Sequence, residues 1–230
     1  MREIVLDTET TGFDPLNGDK IVEVGCVELV DRIPTGRTFQ RYVNPERAMS
    51  AGASAVTGIK DSDLVGQPIF GEIAADLMAF IGDGTLVIHN AEFDVKFLNA
   101  ELGPYGYKPF DLKSVVDTLQ IARMKFPGSP ASLDALCKRF GVDNGSRTLH
   151  GALLDAELLT EVYIELMGGR QRALVLEEDV VPGSDVALNL MPSAPTGDIR
   201  PPRHFPVTEQ ELEAHAGMVK GLKNPLWTMS

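Results

Sequence analysis

The sequence is poor in cysteine, in tryptophan and in positive charge. Two cysteines in 230 residues, Cys26 and Cys137, cannot build a disulfide framework or a thiolate metal site. Both sit in apolar patterns, Val-Gly-Cys-Val and Ala-Leu-Cys-Lys, that read as buried free thiols. No apolar run approaches the roughly 20 residues that span a bilayer, so no membrane association is expected. The amino-terminal stretch has no charged segment followed by an apolar one, so no secretory leader is expected and the location is read as cytoplasmic. Lys and Arg number 21 against 33 Asp and Glu, a net charge of −12. Residues 1–169 carry most of it, with 25 acids against 15 bases. Such a field does not attract polyanions. A nucleic-acid substrate would need metal ions, a local basic patch or a partner that delivers it.

What is present is enough apolar material, 43% of the chain, for one sizeable core. Ile4-Val5-Leu6 opens a strand that ends in Gly12. Ile21 to Val30 and Thr38 to Val43 alternate as further strands, and the short connections make the three an antiparallel meander. Residues 44–65 are small-residue-rich and predict short helical turns. Phe70 to Ile81 has helical spacing, Thr85 to Asn90 is a strand, and Phe93 to Leu102 and Ser114 to Phe126 are helical. Ser132 caps a helix that stops at Gly141, and residues 152–167 form a strongly amphipathic helix. Strands first and helices interleaved later predict an α/β fold with a mixed sheet flanked by helices.

Composition changes after Gly169. Six of the 15 prolines fall between residues 182 and 206, which reads as a linker. Helical pattern returns at Glu209 to Leu222, with Thr208 as its cap. The expected division is therefore a domain at 1–169, a linker segment at 170–207 and a carboxy-terminal segment at 208–230.

The acids that carry chemistry begin with Asp7 and Glu9. On a strand, residues two apart share a face, so two carboxylates meet at the end of an apolar strand. They repel one another unless a cation joins them, and oxygen donors suit magnesium or manganese. Asp94 lies in the first turn of a helix after a strand, in His89-Asn90-Ala91-Glu92-Phe93-Asp94, where a carboxylate can reach over a sheet edge. His150 and Asp155 are five residues apart, about 140° around a helix. If they share a site, His150 precedes the helix on a loop and Gly151 is the hinge. Glu23, Glu92, Asp117 and Asp134 are read as structural.

Together, Asp7-x-Glu9-Thr-Thr-Gly12, His89-Asn-Ala-x-Phe-Asp94 and His150-x-Ala-x-x-Asp155 resemble the DEDDh 3′–5′ exonucleases, whose fold is ribonuclease H-like. The likeness covers residues 3 to 169. Within that family the chain is most similar to the members that proofread for a bacterial replicative DNA polymerase. The resemblance implies that Asp7, Glu9, Asp94 and Asp155 hold two divalent ions, Mg2+ or Mn2+, over a terminal phosphodiester, with His150 as general base. It places Thr10, Thr11 and Gly12 near the terminal nucleotide, with Asn90 and Phe93 as further neighbours. In related chains a His commonly precedes the glycine that matches Gly58. Here that position is Thr57, which alters the contacts expected there.

The resemblance also implies partners: DNA 3′ ends, the catalytic (alpha) subunit of the polymerase and a sliding clamp. Gln171, Leu174 and Leu176 resemble a clamp-binding peptide. Leu226 and Trp227, the single tryptophan, resemble a polymerase-binding terminus. Two other readings compete, a free-standing DEDDh exonuclease acting on RNA or oligonucleotides and a non-catalytic scaffold. The presence of all four acids and His150 argues against the scaffold, and the 60-residue tail argues against the free enzyme.

Overall fold

The computed structural model describes residues 1–145, 149–169 and 207–221. The chain divides into two units, Met1–Val175 and Leu176–Ser230, and each is described by itself. The sequence readings at Gln171, Leu174, Leu176, Leu226 and Trp227, and the linker reading between residues 182 and 206, lie outside the described residues.

In the first unit, β1 (Arg2–Thr10), β2 (Ile21–Val30) and β3 (Ile33–Tyr42) form the expected meander. Two short helices follow, α1 (Ala51–Thr57) and α2 (Asp61–Leu64), then α3 (Phe70–Ile81), β4 (Thr85–Ile88) and α4 (Ala91–Leu102). The chain continues through β5 (Val116–Asp117), α5 (Thr118–Lys125), α6 (Leu133–Phe140) and α7 (Ala152–Leu166). The sheet order is β3-β2-β1-β4-β5. The meander strands pair antiparallel, whereas β4 lies parallel to both β1 and β5.

Two elements differ from the sequence reading. β3 starts five residues earlier than its alternation suggests, because Pro34 and Gly36 read as a turn; β3 is an edge strand, where a missing N–H costs little. The segment expected to be helical from Ser114 begins with the two-residue strand β5. A strand that short has no period to detect, and Asp117, at its end, caps α5 by accepting from the Leu119 N–H at 2.9 Å.

Side-chain alternation on β1 assigns the two layers. Ile4 and Leu6 pack with α3 and α4 residues such as Leu77, Phe97 and Leu98. Val5 packs on the other face with Leu136 of α6 and Leu159 and Val162 of α7. By the same period of two, Glu3, Asp7 and Glu9 share Val5's face. Glu3 bears this out, since the Tyr163 hydroxyl of α7 donates to its Oε1 at 2.6 Å. α7 therefore runs antiparallel to β1, and its first turn comes to the end of β1 that carries the acids.

The described part of the second unit is α8 (Glu209–Gly221). Its cap is the one expected: the Thr208 hydroxyl accepts from the Glu211 N–H at 3.4 Å, and Glu211 accepts in return from the Thr208 N–H at 2.8 Å. Among the described residues no helix is long and apolar enough to cross a membrane.

Candidate active site

β1 outruns its parallel neighbour. Its register with β4 pairs Glu3 with Thr85 and ends at Val5 with Val87, so the β4-side N–H groups beyond that point need other partners. Asp94, in the first turn of α4, supplies one. Its Oδ1 accepts from the Thr8 backbone N–H at 3.0 Å and from the Thr8 hydroxyl at 2.7 Å. Asp94 is 3% exposed, and this burial pushes its pKa up to about 7. The bonds from Thr8 oppose that rise, and the negative charge of Asp117 adds to it.

On the opposite face, register across β1 and β2 pairs Glu9 with Glu23 and Asp7 with Gly25. A Cβ at Gly25 would overlap the Ala152 carbonyl and the Leu153 nitrogen. The absent side chain is therefore what lets the start of α7 lie against the sheet beside Asp7. One turn along, Asp155 is buried and its Oδ2 lies 3.2 Å from His150 Nδ1. One ligand atom from each of Glu9, His150 and Asp155 lies within 4.8 Å of the others. His150 keeps 44% of its side chain exposed while lying against the acids. The group of mutually close ligand atoms does not extend to Asp7 or Asp94.

The loop before α7 is tied to α1. The His150 N–H donates to the Val56 carbonyl at 3.2 Å. Leu149 fills the space above Gly58, where a Cβ would overlap its Cδ1 and where φ is +74°. Thr57, between these two contacts, is buried and spends its hydroxyl on the Ile59 N–H at 3.1 Å.

The other residues singled out in the sequence fall in two places. Thr10 donates its hydroxyl to the Gly12 carbonyl at 2.6 Å. Thr11 is fully buried, and its hydroxyl donates to Asp19 and accepts from the Lys20 N–H, each at 3.1 Å. Gly12 leaves room for the Asp19 carboxylate. These three thus shape the loop after β1, and the Thr11 side chain faces inward. Asn90 takes a left-handed conformation at φ 67°, and its N–H donates to Asp117 at 3.2 Å. Phe93 packs on Phe97, with ring centroids 5.0 Å apart. A groove of about 730 Å³ between β2, β3, α6 and α7 includes none of these residues.

Sequence reasoning gave Glu23 a structural role only and passed over Gly25 and Thr8. A glutamate inside Ile-Val-Glu-Val-Gly, on a strand buried on both faces, was the available signal for the first two.

Residues 4–163 match the family model described as Exonuclease. The chain belongs to this exonuclease family. Its match to the family runs from β1 into α7 and so includes Asp7, Glu9, Asp94 and Asp155. It is 52% identical over 192 residues to the DNA polymerase III subunit epsilon of Rickettsia felis, covering 82% of this chain and 84% of that one. The corresponding chain of Escherichia coli K12 is 46% identical over 176 residues, covering 74% and 72%. Among solved structures, this exonuclease chain is similar to Exonuclease X in complex with 5′ overhanging duplex DNA, with TM-score 0.55, 25% identity and coverage of 71% and 90%. It also resembles the nuclease domain of 3′hExo, a DEDDh family member bound to rAMP, with TM-score 0.62, 20% identity and coverage of 74% and 94%. That second likeness concerns the fold alone.

Proposed function

We infer that this chain is the 3′–5′ exonuclease that proofreads for a bacterial replicative DNA polymerase, DNA polymerase III. It acts there by removing terminal deoxynucleotides, mismatched ones among them, through hydrolysis of the last phosphodiester. The observation that carries the reading is the meeting of Glu9 with His150 and Asp155, from two distant parts of the sequence, at one end of β1. The 52% identity to a DNA polymerase III subunit epsilon supports the polymerase context and a cytoplasmic location.

The donor set fits hard divalent cations. All four acids offer oxygen, three of them at the end of one strand or on the helix turn facing it, and Asp94 carries a burial penalty that a cation would relieve. Asp7, Glu9, Asp94 and Asp155 are the residues proposed to hold two ions, Mg2+ or Mn2+. When bound, such ions supply charge stabilisation and a more acidic water at the terminal phosphate.

The chain's own residues do the rest. When His150 Nδ1 carries the ring hydrogen it donates to Asp155, which leaves Nε2 as the basic nitrogen of the ring. That atom accepts the proton of the attacking water. The loop at Thr10 to Gly12 and the segment at Thr57, Asn90 and Phe93 are proposed to border the terminal nucleotide. Gln171, Leu174 and Leu176 are proposed to meet the sliding clamp, and Leu226 and Trp227 the alpha subunit. The domain division at 169 and 207 belongs to the same reading.

The test is degradation of a 3′-labelled DNA single strand with and without magnesium, run beside an RNA strand of the same sequence. Magnesium-dependent loss of DNA from its 3′ end supports the proposal. Degradation of RNA alone would favour the free-standing exonuclease instead.

A further inference from the structure

α7 begins without a cap of its own. Its N-cap residue is Gly151, which has no side chain to satisfy the first N–H groups. Glu23 of β2 takes that role from another element. Its Oε2 accepts the Ala152 N–H at 3.0 Å, and its Oε1 accepts from Gln40 Nε2 of β3 at 2.7 Å. Glu23 is 1% exposed. A buried carboxylate is costly unless it is hydrogen-bonded, and the bonds from Ala152 and Gln40 supply that compensation. Two residues along the same face, Gly25 leaves the gap into which the Ala152 and Leu153 backbone fits. One strand thus grips the start of α7 twice, by an acceptor and by an absent side chain.

We propose that Glu23, bonded to the Ala152 N–H, is a positioning residue for the exonuclease reaction, fixing the first turn of α7 so that Asp155 and His150 meet Glu9. The inference rests on the site reading above. Glu23 and Ala152 are 129 residues apart in sequence, yet the bond between them holds the peptide that joins loop to helix. A shift of that peptide moves His150 and Asp155 together, and displacements near 1 Å cost about 100-fold in reactions that depend on alignment.

Three substitutions in the full chain separate the acceptor from the charge. Glu23→Gln keeps an oxygen at the right reach, and Gln40 can turn its amide to match. Glu23→Asp keeps the charge but is one methylene short, and Glu23→Ala removes both. The assay is kcat and KM on a 3′-labelled DNA single strand in magnesium, with thermal melts beside it. Expected is a fall in kcat of about 10–100-fold for Glu23→Asp and Glu23→Ala, with KM within about twofold and with Glu23→Gln close to the parent. Tyr163→Phe, which breaks the bond to Glu3 at the other end of α7, controls for stability alone. It is expected to lower the melting temperature and leave kcat unchanged. Should Glu23→Ala fail to fold, Glu23→Asp against Glu23→Gln still decides the matter. Greater loss in Glu23→Gln than in Glu23→Asp would overturn the proposal and make Glu23 a charge or metal ligand. Normal kcat in both Glu23→Asp and Glu23→Ala, beside an inactive Asp155→Ala, would overturn this proposal alone. Normal turnover in Asp155→Ala would overturn the site reading on which it rests.

Discussion

Asp94 holds the free edge of β1 by taking both the N–H and the hydroxyl of Thr8 on one carboxylate oxygen. The contact spans 86 residues of sequence and brings α4 to the end of the strand that carries Asp7 and Glu9. It also buries a carboxyl whose pKa rises from 3.8 to about 7.

That shift has a sign in metal-free protein. Between pH 3.8 and about 7 the folded chain holds a proton at Asp94 that the unfolded chain has released. Stability therefore falls as pH rises through this window and is greatest, for this group, below it. Thermal melts in chelator are expected to show Asp94→Asn gaining on the parent as pH goes from 5 to 8, by about 1–3 kcal/mol at the upper end. An equal gain at every pH would show that the carboxyl is not the group responsible.

His150 presents a different test, because it lies against Asp155 yet is proposed to move protons and not to bind metal. His150→Ala is expected to lose about 10²–10⁴-fold in rate, the usual worth of a positioned base. Divalent-ion binding measured by calorimetry is expected to survive. Collapse of metal affinity together with the rate would make His150 a ligand.

The contact of Leu149 with Gly58 ties the His150 loop to α1, and Gly58 has φ +74°. Gly58→Ala both strains the backbone, at about 1–2 kcal/mol, and pushes on Leu149. The expected result is a lower melting temperature together with a fall in kcat of about tenfold. A variant that is destabilised but turns over normally would show that α1 does not set the position of His150.

The tail separates proofreading within an assembly from free nuclease action. A tether raises the effective concentration of DNA ends to about millimolar, which offsets the weak attraction of DNA to an acidic domain. A chain ending at Gly169 is expected to keep full activity on short single-stranded DNA and to lose co-elution with the polymerase alpha subunit in gel filtration. Trp227→Ala is expected to lose much of that association. Gln171→Ala with Leu174→Ala is expected to weaken clamp contact alone. Co-elution of the truncated chain with the alpha subunit would contradict the anchor assignment.

The acids were legible in the sequence because strand alternation alone puts Asp7 and Glu9 on one face, and because an acid early in α4 must lie near the strand's end. The antiparallel meander and the long helices were legible from their periods. What holds the site together was less so. Glu23 reads as an ordinary strand residue until the sheet register sets it opposite Glu9 and under the start of α7. Leu149 and Gly58 are some 90 residues apart, and only the fold brings them into contact. Thr11, whose backbone is expected near the nucleotide, spends its hydroxyl inside its own loop, a bond that no local pattern announces. Local pattern reports which face a residue takes, whereas the partner on that face depends on register and on where helices dock.

The carboxylates at the end of β1 and on α7 are proposed to act as one metal-dependent hydrolytic site. The direct measurement is release of the 3′ nucleotide from labelled single-stranded DNA by Asp7→Ala and by Asp155→Ala, across a magnesium titration, with circular dichroism to show that each is folded. Both variants are expected to fold and to give no detectable hydrolysis at any magnesium concentration. Near-normal turnover in either folded variant would contradict the claim.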